Sequence, residues 1–196
     1  MRPVTLEELM DLAAYERTRP DVRRRMIELK SRRRIQAGEK ISIVFENRDT
    51  ILYQIQEMIR AEKITEQTRI EHELETYNAI LPKDGCLAGT LFIEITEGEN
   101  IRAELDAFIG LDRGDHVWFD LGALGRVVGR FAEGQSEEGR ISSVHYLQFP
   151  FRPDAARAFC DVDHPVAFVI DHDGYTASVP VDGSVRRSLA EDLTGE

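Results

Sequence analysis

The sequence is poor in the residues that make a site self-evident. It holds 2 cysteines, Cys86 and Cys160, and they belong to no Cys-x-x-Cys pair. A structural zinc site needs about four ligands in close pairs, so that chemistry is excluded. A disulfide is arithmetically open but suits an oxidising compartment, and both residues read as ordinary thiols. Long apolar runs are missing as well, which excludes a membrane-spanning helix. The opening Met1-Arg2-Pro3-Val4-Thr5-Leu6-Glu7-Glu8 turns acidic at once and has no apolar export core, so the expected location is cytoplasmic. There is no Gly-x-Ser-x-Gly elbow, no Walker A loop and no Gly-x-Gly-x-x-Gly after a strand.

The 5 histidines are informative by what they exclude. A carboxylate-bridged di-iron bundle needs two Glu-x-x-His turns on helices. The residues three before His72, His116, His145, His164 and His172 are Arg69, Arg113, Ser142, Asp161 and Val169. No metal site of that kind results, and no cofactor is expected. A loose set of Asp161, Asp163, His164 and His172 around the last strands is the only candidate for a divalent cation. Asp173, beside it, already has a task as a turn former.

What is present is a chain that is 42% apolar and 31% charged, as expected of a globular protein. Its length fits one large domain or two small ones. The net charge of −11 is unevenly spread. Residues 1–40 carry a surplus of 4 positive charges, and residues 17–34 hold nine Arg or Lys against Asp21 and Glu28. Arg23, Arg24, Arg25, Arg32, Arg33 and Arg34 are therefore candidates to bind a partner or an anion. No aromatic residue interleaves them to stack bases, which disfavours nucleic acid.

The pattern predicts a helix from a Thr5/Glu8 capping box to about Arg17, and a second from Pro20 with Val22, Met26 and Leu29 inward. Ile41, Ile43 and Phe45 alternate with polar or smaller neighbours, giving a strand near 41–46. A helical hairpin follows over 48–63 and 66–79, ended by Pro82 to Gly85. Strand signals then run at 87–96, 116–121, 126–132, 141–149, 165–171 and 175–181, with a short helix at 101–111. Asp173-Gly174 reads as a primed two-residue hairpin turn, and 185–193 as an exposed terminal helix. The fold class is α+β: N-terminal helices including a helical hairpin, then a mainly antiparallel sheet with a short C-terminal helix. Residues 1–83 form a mainly helical region and 84–196 a β-rich one, unless the strand at 41–46 joins the later sheet and fuses them.

The densest polar run is residues 45–62. At 100° per residue, Ile51, Leu52, Ile55, Met58 and Ile59 share one face, yet Glu62 projects to its centre and Arg48 to its flank. Thr50, Gln54 and Glu57 line a second edge. Ions on a buried stripe need partners or a task. One reading is a polar pocket of Glu46, Asn47, Arg48, Gln54, Glu57, Arg60, Glu62 and Glu94, with a carboxylate as base or ligand and an arginine for an anion. The other is an ion-pair network that pins the helices.

Phe45-Glu46-Asn47-Arg48-Asp49-Thr50 and Gln54-Ile55-Gln56-Glu57-Met58-Ile59-Arg60-Ala61-Glu62 resemble the uncharacterised bacterial family designated domain of unknown function 3501. The likeness continues through Glu73 to Asn78, Leu81-Pro82, Thr90 to Glu94, Arg140 to Val144 and Leu147 to Phe149, with Ala88-Gly89-Thr90 a minor departure. It implies a genomic neighbourhood with a rubrerythrin and an iron–sulfur heterodisulfide-reductase-like protein, hence a peroxide or redox-stress context, and no catalytic residues. Three function classes follow. The first is an accessory or interaction protein beside an iron redox enzyme. The second is an enzyme or small-ligand binder using the polar run, and the third binds phosphate or RNA through residues 17–34.

Overall fold

The computed structural model describes residues 1–95, 100–137 and 139–195. The strand expected to reach Thr96 ends at Ile93, and Thr96 itself lies outside the described residues. After a single 3-10 turn at Leu6–Glu8, the chain runs as α1 (Leu12–Ser31), β1 (Arg34–Ala37), β2 (Ile41–Glu46), α2 (Arg48–Ala61) and α3 (Gln67–Asn78). It continues as β3 (Cys86–Ile93), α4 (Ile101–Asp106), β4 (Val117–Asp120), β5 (Arg126–Val128), β6 (Arg130–Phe131) and β7 (Val144–Pro150). The last elements are α5 (Pro153–Cys160), β8 (Ala167–His172), β9 (Tyr175–Pro180) and α6 (Gly183–Thr194). This is α+β architecture with two antiparallel sheets, ordered β1-β2-β3-β7-β6 and β5-β4-β8-β9.

The inward faces of the sheets meet over phenylalanine. Phe45, Phe119, Phe149 and Phe168 are fully buried, with ring centroids 4.9 to 6.3 Å apart in tilted or edge-on pairs. Each ring adds burial plus a favourable quadrupole contact. The sheets are joined at both edges. Gly129 sits where β5 becomes β6, and its N–H donates to Val117 of the second sheet at 2.8 Å. A Cβ there would lie 2.8 Å from Leu147 and Phe149 side-chain carbons, so the crossing needs glycine. At the other edge the Tyr175 hydroxyl donates to the Ala37 carbonyl at 2.5 Å and accepts from Lys40 N–H at 3.1 Å.

β2 pairs with β3 in the register Phe45↔Gly89 and Glu46↔Ala88, so the early strand belongs to the later sheet. Its inward side chains are Ile41, Ile43 and Phe45. A second apolar cluster of Ile51, Ile55, Ile59, Ile64, Leu74, Tyr77 and Leu81 packs α2 against α3, which is the expected helical hairpin. Asp173 and Gly174, both at positive φ, make the two-residue turn between β8 and β9.

Several local readings are corrected. The Thr5/Glu8 box is present but caps only the 3-10 turn. The first long helix starts at Leu12, capped by Asp11, whose side chain accepts from Ala14 N–H at 2.8 Å, and runs unbroken through Pro20. Proline removes one internal bond, but buried Tyr15 and Met26 fix the helix on both sides of it. That helix ends at Ser31, and Arg34–Ala37 is a strand turned by Gly38 at φ 76°. α5 lies between the strands expected at 141–149 and 165–171, where the pattern predicts no element. α6 is not exposed along its length: Arg186, Ser188 and Leu189 are buried.

Two buried arginines hold the helical end of the sandwich. Arg186 donates Nε to Phe159 O at 2.7 Å, Nη1 to His164 O at 2.6 Å, and Nη2 to Ala158 O at 2.9 Å and Asp161 O at 2.5 Å. It thus caps the carbonyl end of α5, where a cation is favoured. Replacing Arg186 by Met leaves several buried carbonyls without donors. The expected loss is roughly 3 kcal/mol or more, read as a lower urea midpoint with unchanged slope. A midpoint within experimental error of the parent would refute that role.

Candidate functional site

The polar run does not close on a single pocket. Its side chains divide among several places. Asn47 is the N-cap of α2, accepting from Thr50 N–H at 3.0 Å, while the Thr50 hydroxyl accepts from Asn47 N–H at 2.9 Å. Arg48 turns towards the N-terminal segment, pairing with Glu8 and donating to Arg2 O at 3.2 Å. The Arg48 guanidinium and the Thr5 N–H hold the Glu8 carboxyl down to about 2.

Glu57 forms the second place, between α1 and α2. Arg19 grips it with two bonds, Nε to Oε1 at 2.7 Å and Nη2 to Oε2 at 2.9 Å, and the Tyr15 hydroxyl donates to Oε1 at 2.7 Å. Arg60 approaches at 3.5 Å and also faces Glu16 at 3.5 Å. The Arg19 guanidinium lowers the Glu57 carboxyl to about 2 against the opposing effect of burial. A carboxylate so held is a poor proton acceptor near neutrality.

Glu46 forms the third, at the end of β2. Thr90 donates to its Oε1 at 2.6 Å, and Oε2, buried, has no partner among the described residues. Gln54 lies on the α3 side, beside the Tyr77 hydroxyl. Glu62 is exposed, paired with Arg69 at 3.1 Å. Its projection onto the apolar stripe fails because α2 stops at Ala61 and Lys63, at φ 52°, turns the chain. Glu94 pairs with Arg34 at the opposite end of β2 and β3 from Glu46, roughly 20 Å away at strand rise.

The basic segment divides too. Arg33 is 1% exposed: Nε donates to Phe45 O at 2.9 Å, Nη1 to Ser188 O at 3.1 Å, and Nη2 to Glu46 O at 3.3 Å while pairing with Asp192. Burial pushes the Asp192 carboxyl up, and Arg33 opposes that rise. Arg34 is taken by Glu94 and the Ser42 hydroxyl. Arg24 pairs with Asp21 at 2.5 Å, and Arg23, Arg25 and Arg32 are exposed.

These fragments border one feature. A groove of about 510 Å³ runs between α1 and α2, walled by Val22, Met26, Leu29, Leu52 and Tyr53. Arg25, Arg32, Glu28 and Asp49 stand around it. Tyr15 and Glu8, the partners of Glu57 and Arg48, also line it. The two segments singled out by sequence, 17–34 and 45–62, are its opposite walls. The partners Tyr15 and Arg19 were missed. Their only sequence signal is the 4-residue spacing that puts both on one helical face.

Of the candidate cation ligands, Asp161, Asp163 and His164 lie before β8 and His172 at its far end. Asp163 N–H donates to Asp161 Oδ1 at 3.1 Å, and His164 Nε2 donates to Leu121 O at 2.9 Å. Among the described residues no group of three His, Cys, Asp or Glu is placed to hold a metal. His172 instead packs edge-on against His116 at 4.7 Å, buried, with neither ring nitrogen in a well-formed hydrogen bond among the described residues. Burial and then the His116 ring lower its basicity, with Asp173, the nearby Ile109 backbone and Asp112 opposing. His145 is lowered by burial as well, though its Nε2 donates to Ser142 O at 2.8 Å. Both cysteines are free thiols, raised by burial.

The acid response follows from these groups. Lowered histidines favour the unfolded chain once it protonates, so stability is full above about pH 6.5 and falls below it. Lowered Glu57 and Glu8 contribute above about 4.5 and lose their contribution towards about 2. Melting temperature should therefore decline in two stages. His172→Gln shallows the first, and Glu57→Gln lowers the plateau at neutral pH but flattens the second. One sigmoidal loss unaffected by either change would contradict this.

Comparison with known proteins adds kinship but no reaction. A family model described as "Protein of unknown function (DUF3501)" matches residues 3–193. The fold is similar to the crystal structure of a novel protein of unknown function from Burkholderia pseudomallei. That likeness has a TM-score of 0.89 and 30% identity, over 98% of this chain and 100% of that one. No curated protein matches.

Proposed function

This chain belongs to the DUF3501 family, and we propose that it is a docking protein whose groove between α1 and α2 receives an amphipathic segment of a protein partner. The observation that carries the reading is the groove itself. Its walls are apolar and open, and the described residues leave Arg25 and Arg32 beside it without ion pairs. An apolar helical face fits such a trough through anchors spaced at i, i+3 and i+4. Carboxylates on the flank of that segment would pair with Arg25 and Arg32, which favour two-pronged contacts. Glu28 and Asp49 on the same rim disfavour a uniformly acidic strand or a polyanion, so the partner has mixed charge.

The polar residues that suggested catalysis support the same reading. Glu57 and Arg48 fix the walls of the groove to their neighbours. The setting implied by the family resemblance is a peroxide or redox-stress context. It names the first partners to try: a rubrerythrin-like protein and an iron–sulfur oxidoreductase.

Titration calorimetry of the purified chain against each of these partners tests the proposal. Saturable binding is expected. Leu29→Glu, or Arg25→Glu with Arg32→Glu, should weaken it by about tenfold or more, since charge pairs and apolar anchors at a buried contact are each worth a comparable amount. Binding that ignores these substitutions would remove the groove from the account, and no binding to either partner would remove the redox setting.

A further inference from the structure

A second cavity, of about 720 Å³, lies on the outer face of the first sheet between α3 and the β6–β7 hairpin. Its volume is in the range that encloses a small organic molecule. Tyr146 and Gln148 form the floor, because alternate residues of β7 face outwards while His145, Leu147 and Phe149 face the core. Ile80 and Phe131 supply apolar walls, and Cys86 closes one end. Two cations, Lys83 and Arg130, line it with one carboxylate, Glu133, and none of the three makes an ion pair among the described residues.

The floor is held rigidly. Gln135 accepts from Tyr146 N–H at 2.6 Å and donates to Tyr146 O at 3.2 Å, clamping that residue's backbone from the hairpin. The Gln148 amide is spent on Leu81 O at 3.3 Å. The Tyr146 hydroxyl makes no hydrogen bond within the described protein, and burial, with smaller effects of Tyr77 and the Glu46 carboxylate, keeps it a neutral phenol, able to donate. A fixed donor, two uncommitted cations and an apolar wall converge on one space.

We propose that this cavity binds a small organic anion: an apolar body against Ile80 and Phe131, with a carboxylate, sulfonate or phosphate group met by Lys83, Arg130 and the Tyr146 hydroxyl. The site shares no wall with the α1–α2 groove and does not depend on it.

The probe is 8-anilinonaphthalene-1-sulfonate, which pairs an aromatic body with one anionic group. The full chain is titrated by fluorescence. In parallel, iodoacetamide alkylation is followed peptide by peptide by mass spectrometry, with Cys160, outside the cavity, as internal reference. One saturable site is expected, with Cys86 alkylation slowed at least about fivefold at saturation while Cys160 is unchanged. Lys83→Gln with Arg130→Gln, both exposed positions, should weaken binding by about tenfold and abolish the protection. Tyr146→Phe should weaken it by about threefold. Fluorescence without protection of Cys86 would place the dye elsewhere and overturn the proposal. So would the absence of a saturable site, or wild-type affinity in the double variant.

Discussion

The arrangement of this molecule depends on one buried cation. Arg33 leaves the C-terminal end of α1 and enters a space with almost no water, so its charge and donors must be met within the protein. Asp192 of α6 supplies the charge, and the carbonyls of Phe45, Glu46 and Ser188 take the remaining bonds. Phe45 N–H also donates to Arg33 O at 2.8 Å. One residue thereby joins the exit of α1, the last two residues of β2 and the closing helix. α2 begins two residues later, so both walls of the α1–α2 groove diverge from this knot.

That constraint explains why the ionic residues of the polar run serve architecture. Once Arg33 fixes the common end of α1 and α2, Glu57 with Arg19 and Tyr15 fixes the helices further along, and Arg48 with Glu8 seals the N-terminal segment over α2. Such pairs add little net stability over an apolar contact, but each is costly to break singly. They therefore favour one helix-to-helix geometry. Between the fixed points the apolar faces of α1 and α2 remain apart, and the groove is the space left open. On the outer face of the first sheet, β7 presents alternate residues to a second space lined by the cations Lys83 and Arg130.

Much of the fold was legible because local signals agreed with tertiary context. The apolar period of Ile51, Ile55 and Ile59 marks α2, and Asp173-Gly174 has the positive-φ residues its turn requires. Pro20 is a break signal overridden by contacts on both sides of it, and Arg34 to Ala37 is too short a run to announce a strand by its period, although it pairs with Ile41 to Val44 across the tight turn at Gly38. α5 did announce itself, with Pro153 at N1, Asp154 in the first turn and Ala155, Ala158 and Phe159 on one face, but its 8 residues give that period little more than about two turns. At the site, Glu62 was misplaced by extending a helix one residue past its end. Arg33 carries no sequence mark to separate it from Arg32 and Arg34. Only the turn out of α1 aims it inward, and periodicity does not record that turn.

Native-state hydrogen exchange on Arg33→Lys tests the central claim most directly, because lysine keeps the charge and loses the fork that reaches three carbonyls. Amides in the last two turns of α1 and the first turn of α2 should lose protection by about tenfold or more, while those of β4 and β8 keep theirs. Unchanged protection in both helices, or an even loss across the whole chain, would contradict it.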